Sequence, residues 1–407
     1  VRQSTAVNTG ASEAPELVQR GLAEALGLNT SETCYYIYRD CRTSLEYLVY
    51  ARDLANYGLP LHLHGYQYYA FIEWREVHDF DRSWGRLHGL LGGEGVASVE
   101  EAYLEMHLSA VIEPFEQMLA PDKLKLLINM PKKKAAALEP FRAAADEFLG
   151  AVAEHVGRTV DTAPIVEEME ATLRQVHAFP KWLAGAGTLY PEVRDALAAV
   201  LAEAAPADAA KTAAKTAAED GGEAARFWRV PVAWAVTRWI GAVNRPEAEE
   251  DAPADGFSAR ATSGVWMREW FLVRRLARNF RAMDTDTWRA DMDARLVRIC
   301  VAFSKMLPAL REEPWTPLLR ELLHDRDVRA FLQAHRFKGV VWIRKEQLDR
   351  MLAYLLFTLA LELRMDGRRT DEEAADTLML ALEDVRAIQD TAAAVGFDRE
   401  ALLEAVK

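Results

Sequence analysis

Residues 345–364 read KEQLDRMLAYLLFTLALELR, and this stretch decides the class of fold. Between 351 and 363 only Tyr354, Thr358 and Glu362 are polar. The apolar run ends after about a dozen residues, short of the roughly 20 that a bilayer-spanning helix needs. It predicts a helix buried inside a protein core. Immediately downstream, Thr370 and Glu373 have the spacing of a capping box, in which each side chain satisfies the other's backbone donor. They predict a second long helix to about residue 395, with a short one over 398–406. Upstream, Phe337-Lys338-Gly339-Val340-Val341-Trp342 is a short break with strand character.

Helical periodicity continues back along the chain. It predicts helices near 15–26, 98–119, 132–156, 164–179, 191–204, 227–243, 265–283, 286–307, 315–324 and 328–335. Ser98 and Glu101 form another capping box, and Pro114 should kink the helix that they open. The exception lies near residues 33–77. There the Cys34-Tyr35-Tyr36-Ile37-Tyr38 run favours a strand, and the alternation beyond Pro60 favours a strand or hairpin. Between them, Thr43 and Glu46 have capping-box spacing and predict a helix that ends at Gly58. The expectation is a mainly α, multi-helix protein of two lobes with a small β element near 33–77.

Residues 205–222 hold a repeated Lys-Thr-Ala-Ala and almost no large apolar side chain, so they cannot build a core. The expected organisation is therefore an N-terminal mixed helical lobe over 1–204, an Ala-rich linker over 205–222, and a C-terminal helical lobe over 223–407. An acidic second linker is expected over 244–256.

Composition narrows the partners. The 407 residues carry 62 acidic and 49 basic side chains, a net charge of −13, and half of them are hydrophobic. That balance repels phosphate backbones and anionic lipid, so neither nucleic acid nor membrane is an expected partner. The polar, Thr/Ser-rich start does not resemble a secretory signal. The three cysteines, Cys34, Cys41 and Cys300, cannot all pair and show no zinc-site spacing. A cytoplasmic location is the expectation.

No catalytic motif stands out. The richest polar constellation is His62 and His64, followed by Glu73, Glu76, His78 and Asp79. On a strand, His62 and His64 would share a face as two metal ligands do, with His78 or His88 as a third. Hydrogen-bonded or solvent-facing histidines are the simpler explanation, and no metal or cofactor is assigned. Glu73, Glu76 and Asp79 could supply a glycosidase's two carboxylates, but that chemistry depends on a separation that sequence does not show. Gly92-Gly93-Glu94-Gly95 lacks the following Lys-Ser/Thr of a phosphate loop. Arg274, Arg275, Arg278 and Arg281 accompany Trp266, Trp270 and Phe280, as expected of a helix amphipathic against its own core with acidic neighbours. Among the 11 tryptophans, Trp228, Trp234, Trp239, Trp266 and Trp270 cluster in the second half. They suit core packing, or sugar stacking if exposed.

Four blocks, in order, resemble the region downstream of the barrel in long, multidomain bacterial proteins of the α-amylase family. They are Ile37-Tyr38-Arg39-Asp40 with Ser44-Leu45-Glu46-Tyr47; Tyr66-Gln67-Tyr68 with Phe71-Ile72-Glu73-Trp74-Arg75-Glu76-Val77; Leu91-Gly92-Gly93-Glu94-Gly95-Val96-Ala97-Ser98 with Glu101-Ala102; and His335-Arg336-Phe337-Lys338-Gly339-Val340-Val341-Trp342. Ser44 stands where that family has Gly, and Ala97 where it has Pro. The blocks themselves cover well under half of the chain. The family's catalytic aspartate and glutamate lie in barrel motifs that this chain does not contain, so no catalytic residue carries over. The resemblance implies a non-catalytic helical accessory or scaffolding region of an α-glucan-processing enzyme, serving carbohydrate metabolism in cis or as a subunit. Its expected partners are a catalytic barrel and an α-glucan. The alternatives are a freestanding helical scaffold or regulatory protein with no glucan link, and an enzyme centred on Glu73, Glu76 and His78.

Overall fold

The aromatic run that starts at Cys34 becomes the central strand of a small sheet, because side chains on both of its faces find partners. In the computed structural model this sheet follows a two-residue strand pair, β1 (Val7–Asn8) with β2 (Leu17–Val18), and one helical turn, α1 (Leu22–Ala25). The sheet comprises β3 (Cys34–Asp40), β4 (Glu46–Tyr50) and β5 (Phe71–His78), antiparallel in the order β4-β3-β5. The structure describes residues 1–8, 16–61, 64–65, 68–130, 138–202, 223–245, 259–284, 286–304, 306–309 and 315–405.

Strand parity sorts the core of this first unit. Ile37 and Leu48 pack with Leu87, Val99 and Met106 from helices α3 (Ser83–Leu91) and α4 (Val99–His107). Tyr36 and Tyr38 belong to two other clusters, Tyr36 with Ala51 and Tyr38 with Leu54 from α2 (Ala51–Tyr57), and Trp74 packs against both. The helix expected from the Thr43/Glu46 spacing is thus a strand first, and helical only from Ala51. Thr43 Oγ1 donates to Asp40 Oδ2 at 2.9 Å instead of capping, and Glu46 is buried for a different purpose described below. The helix expected over 15–26 is reduced to α1. Ser98 does cap as expected, accepting from the Glu101 N–H at 3.2 Å. Its helix ends at His107, and Pro114 lies inside the next one, α5 (Ser109–Met118).

Among the described residues, the regular structure of the second unit is helical apart from one hairpin. It contains α6 (Pro121–Ile128), α7 (Glu139–His155), α8 (Ala163–Gly185) and α9 (Pro191–Ala202), then α10 (Glu223–Thr237) and a 3-10 turn at Ile240–Asn244. Helices α11 (Ala259–Glu269) and α12 (Leu272–Arg281) replace the single helix expected over 265–283, because Phe271 takes a left-handed φ of 57°. There follow α13 (Thr287–Phe303), α14 (Met306–Ala309), α15 (Trp315–His324) and α16 (Arg326–Phe331). The hairpin β6 (His335–Phe337) with β7 (Val340–Trp342) lies on the expected break. Helices α17 (Lys345–Met365), α18 (Asp371–Ala394) and α19 (Arg399–Ala405) complete the unit.

The apolar stretch behaves as its composition demands. Helix α17 packs against α8, α9, α13 and α18, and Met351, Leu352, Leu355, Phe357 and Leu361 are buried. The Thr370/Glu373 capping box forms reciprocally, with bonds of 2.9 and 3.2 Å. No helix among the described residues is long and apolar enough to cross a membrane.

The molecule is mainly α with two units, but they divide between Ser109 and Ala110. The expected division at 205–222 lies outside the described residues, as does most of the acidic segment 244–256. Helix α10 packs on α6, α8 and α13, so residues on both sides of 205–222 share one core. The sheet and its helices, residues 1–109, form the other unit. The unit boundary instead follows the packing of the elements.

Candidate functional site

The polar constellation in the first unit is locked into structural pairs. Glu73 sits on β5 with φ 56°, and its carboxylate accepts from Arg39 Nε at 2.7 Å. Glu76 accepts from Tyr36 Oη at 2.8 Å and Asn29 Nδ2 at 3.0 Å, and it pairs with His78 Nε2 at 2.9 Å. The Asn29 and Tyr36 hydrogen bonds hold the Glu76 carboxyl below its ordinary value, and burial followed by the Glu76 bond pushes Tyr36 up. Asp79 receives the backbone N–H groups of Trp84 and Gly85 at 3.2 and 2.8 Å. His64 is exposed, His62 lies outside the described residues, and the His88 ring lies tilted against that of Tyr35, 5.7 Å between centroids. Among the described residues no group of three or more His, Cys, Asp or Glu could hold a metal ion.

Glu46 has a place that its sequence context did not reveal. It is 2% exposed. Its Oε1 accepts from Arg39 Nη2 at 2.6 Å and Arg75 Nη2 at 2.7 Å, and its Oε2 from the Val99 N–H at 2.9 Å. Its backbone pairs with Val96 through bonds of 2.7 and 2.8 Å. Gly95 is needed beside it, because a Cβ there would lie 2.6 Å from the Tyr47 ring. The first three sequence blocks therefore meet at one buried carboxylate.

The second unit contains a concavity of about 730 Å³. Helix α8 supplies Glu168 and Thr172, the end of α10 leads to Arg238 and Trp239, and α11 supplies Arg260. The last turns of α17 supply Leu359, Glu362, Leu363, Arg364 and Met365, and Arg369 follows. Close approach of the 3-10 turn to α11 requires Gly241, where a Cβ would stand 2.3 Å from the Ala259 carbonyl oxygen. That approach brings Arg238 and Arg260 to the same wall.

The charges in this cavity are unevenly answered. Glu362 accepts from Arg260 and, at 2.8 Å, from Ser304 Oγ. Arg238 is 8% exposed and its guanidinium lies 4.6 and 5.2 Å from the ring centroids of Trp234 and Trp239. The Nε and Nη1 of Arg238 are buried with no hydrogen-bond acceptor among the described residues, and its Nη2 pairs with Glu362 Oε1 only at 3.6 Å. Burial lowers Arg238 to about 10, against the opposing pull of Glu362, so it remains a cation at neutral pH. Arg364 lies over the Trp182 ring, its Nη1 is buried without an acceptor, and burial lowers its pKa as well. The Trp239 indole N–H donates to Thr172 Oγ1 at 2.9 Å, which fixes the ring.

Sequence had singled out Trp234 and Trp239, but not the arginines, which come from three separate stretches and carry no shared motif. Trp234 and Trp270 are buried, and Trp228, Trp239 and Trp266 are half-buried. Trp266 and Trp270 stack at 4.5 Å. The arginines of α12 have the expected acidic neighbours: Arg275 and Arg278 reach Glu116 at 3.5 Å, and Arg281 binds Asp291 at 2.6 and 2.7 Å. Comparison of the chain with protein-family models, with curated proteins and with solved structures gives no match.

Proposed function

We propose that this chain is a non-catalytic accessory region of an α-glucan-processing enzyme of the α-amylase type, working beside a catalytic barrel in the same polypeptide or as a separate subunit. The observation that carries it is the convergence at Glu46. Residues from three of the four family-like blocks meet there, and they make a buried framework contact. A carboxylate held by two guanidiniums and a backbone N–H is spent on structure. Glu73 and Glu76 are likewise committed to Arg39 and to Tyr36 and Asn29. The blocks thus support kinship with a bracing region, and the chemistry is expected from the barrel.

The test has two arms. Affinity capture from the native host should recover a glycoside hydrolase, or the coding sequence should adjoin or continue a barrel. The purified chain is then passed over immobilised amylose and glycogen. Neither a barrel partner nor an adjoining barrel would refute the proposal. Loss of activity in a Glu73→Gln, Glu76→Gln double variant of a chain that hydrolysed glucan unaided would refute it too.

The second reading, a freestanding helical scaffold, draws support from the burial of Trp234 and Trp270. Side chains packed inside a core are not presented to a polysaccharide. Retention on amylose that is abolished by changing the half-exposed Trp288 (48% exposed) would favour the glucan reading over it.

A further inference from the structure

We infer that the cavity around Arg238 binds a small organic molecule through an oxyanion head, a phosphate or a carboxylate. The site stands apart from the glucan proposal and does not depend on it. Arg238 is more than nine-tenths buried, yet its Nε and Nη1 have no hydrogen-bond partner among the described residues, and its Nη2 meets Glu362 only at 3.6 Å. A buried donor without an acceptor is costly, and more so when charged. The flanking indoles of Trp234 and Trp239 offset part of that cost through their ring faces. They offer no hydrogen-bond acceptor in the guanidinium plane.

Nearby carboxylates do not fill that role. Glu362 is held by Arg260 and Ser304, and stands 3.6 Å from Arg238. Glu168 faces Arg245 at 3.5 Å. Asp366 lies 3.7 Å from Arg369 Nε and also caps the Arg368 N–H. Four arginines line the cavity, Arg238, Arg260, Arg364 and Arg369, against three carboxylates. Arg364 repeats the Arg238 pattern, with a buried Nη1 lacking an acceptor. An oxyanion is the complement of such donors, since guanidinium forks match phosphate and carboxylate geometry. The cavity's size, about 730 Å³, exceeds a bare anion and falls within the ligand-pocket range. Leu359, Leu363 and Met365 give the organic part an apolar wall.

The experiment is calorimetric titration of the full chain with inorganic phosphate and, separately, with propionate, at ionic strength matched by sodium chloride. Saturable binding is expected for one or both, and the stronger response identifies the head group. Arg364→Gln, at the half-exposed rim, should weaken it by about tenfold, the loss of one charge-assisted hydrogen bond. Arg238→Gln should weaken it at least as much, and if that variant fails to fold, Arg364→Gln alone decides. Arg274→Gln, which lies in a separate arginine-rich surface pocket, should leave binding unchanged. Absence of saturable binding by both probes into the tens of millimolar overturns the inference. So does binding that Arg274→Gln removes and Arg364→Gln does not.

Discussion

At Ser44 a single side chain carries a backbone cost. Ser44 has φ 58°, a left-handed conformation that disfavours every residue with a Cβ, and it is exposed. Glycine, which has no Cβ to clash there, should fit better. Ser44→Gly is expected to stabilise the first unit by about 0.5–1 kcal/mol in urea denaturation, after allowing for the extra freedom of the unfolded chain. Glu46 is the opposite case. Its removal leaves Arg39 and Arg75 without their shared acceptor, but both are about one-third exposed, which lessens the penalty. Glu46→Ala should cost roughly 2–3 kcal/mol, read as a lower urea midpoint. The capping-box pattern misled at Thr43 because a Ser/Thr-x-x-Glu spacing says nothing about whether arginines from other strands will claim the glutamate. A pH effect belongs at this scale too. Burial lowers His177 below its ordinary value of 6.5, while its Nε2–H bond to the Leu127 carbonyl partly opposes this. Below about 6.5 the unfolded chain takes up a proton that the folded chain refuses. Stability should therefore fall as pH drops through that value and level off once the lowered folded pKa is passed. A His177→Gln variant should show a flatter profile between pH 7 and 5; an identical slope would exclude His177 as the source.

At the level of elements, α13 concentrates the buried charge of the helical unit. Its Asp293 accepts from Arg229 Nε at 2.7 Å and Arg350 Nη2 at 2.6 Å, and Arg229 also binds Asp284 at 2.8 Å. Arg298, on the same helix, makes a two-pronged contact with Asp325 at 2.7 and 2.8 Å. Helices α10, α13 and α17 are thus pinned to one another through the buried Arg229 and Asp293 and the partly exposed Arg350. Asp293→Ala takes from the buried Arg229 one of its two carboxylate partners and from Arg350 a 2.6 Å bond, and should cost about 3 kcal/mol, measured by the same denaturation. The helices themselves were legible wherever local signals sufficed, as in the apolar run of α17 and the Thr370/Glu373 box of α18. The break at Phe271 was not, because no proline or glycine marks it. The Arg238 cavity was invisible for a related reason: its walls come from α8, α10, α11 and α17, and only their packing assembles it.

For the molecule as a whole, burial governs thiol chemistry. Cys34 and Cys300 are buried and Cys41 is exposed. Burial raises the Cys34 thiol and pushes Cys300 up to about 12, so neither offers an accessible thiolate near neutral pH. A colorimetric thiol titration should count one rapidly reacting group in native protein and three after denaturation. The two units divide at Ser109 and Ala110 and have separate cores, so a fragment of residues 110–407 is expected to fold and unfold cooperatively by circular dichroism. The buried Arg229–Asp293 cluster carries a thermal consequence. Hydration of free ions becomes less favourable on heating, so the penalty for enclosing those charges shrinks as temperature rises. A calorimetric scan of Asp293→Ala beside the parent should therefore show a difference in stability that widens towards the melting point.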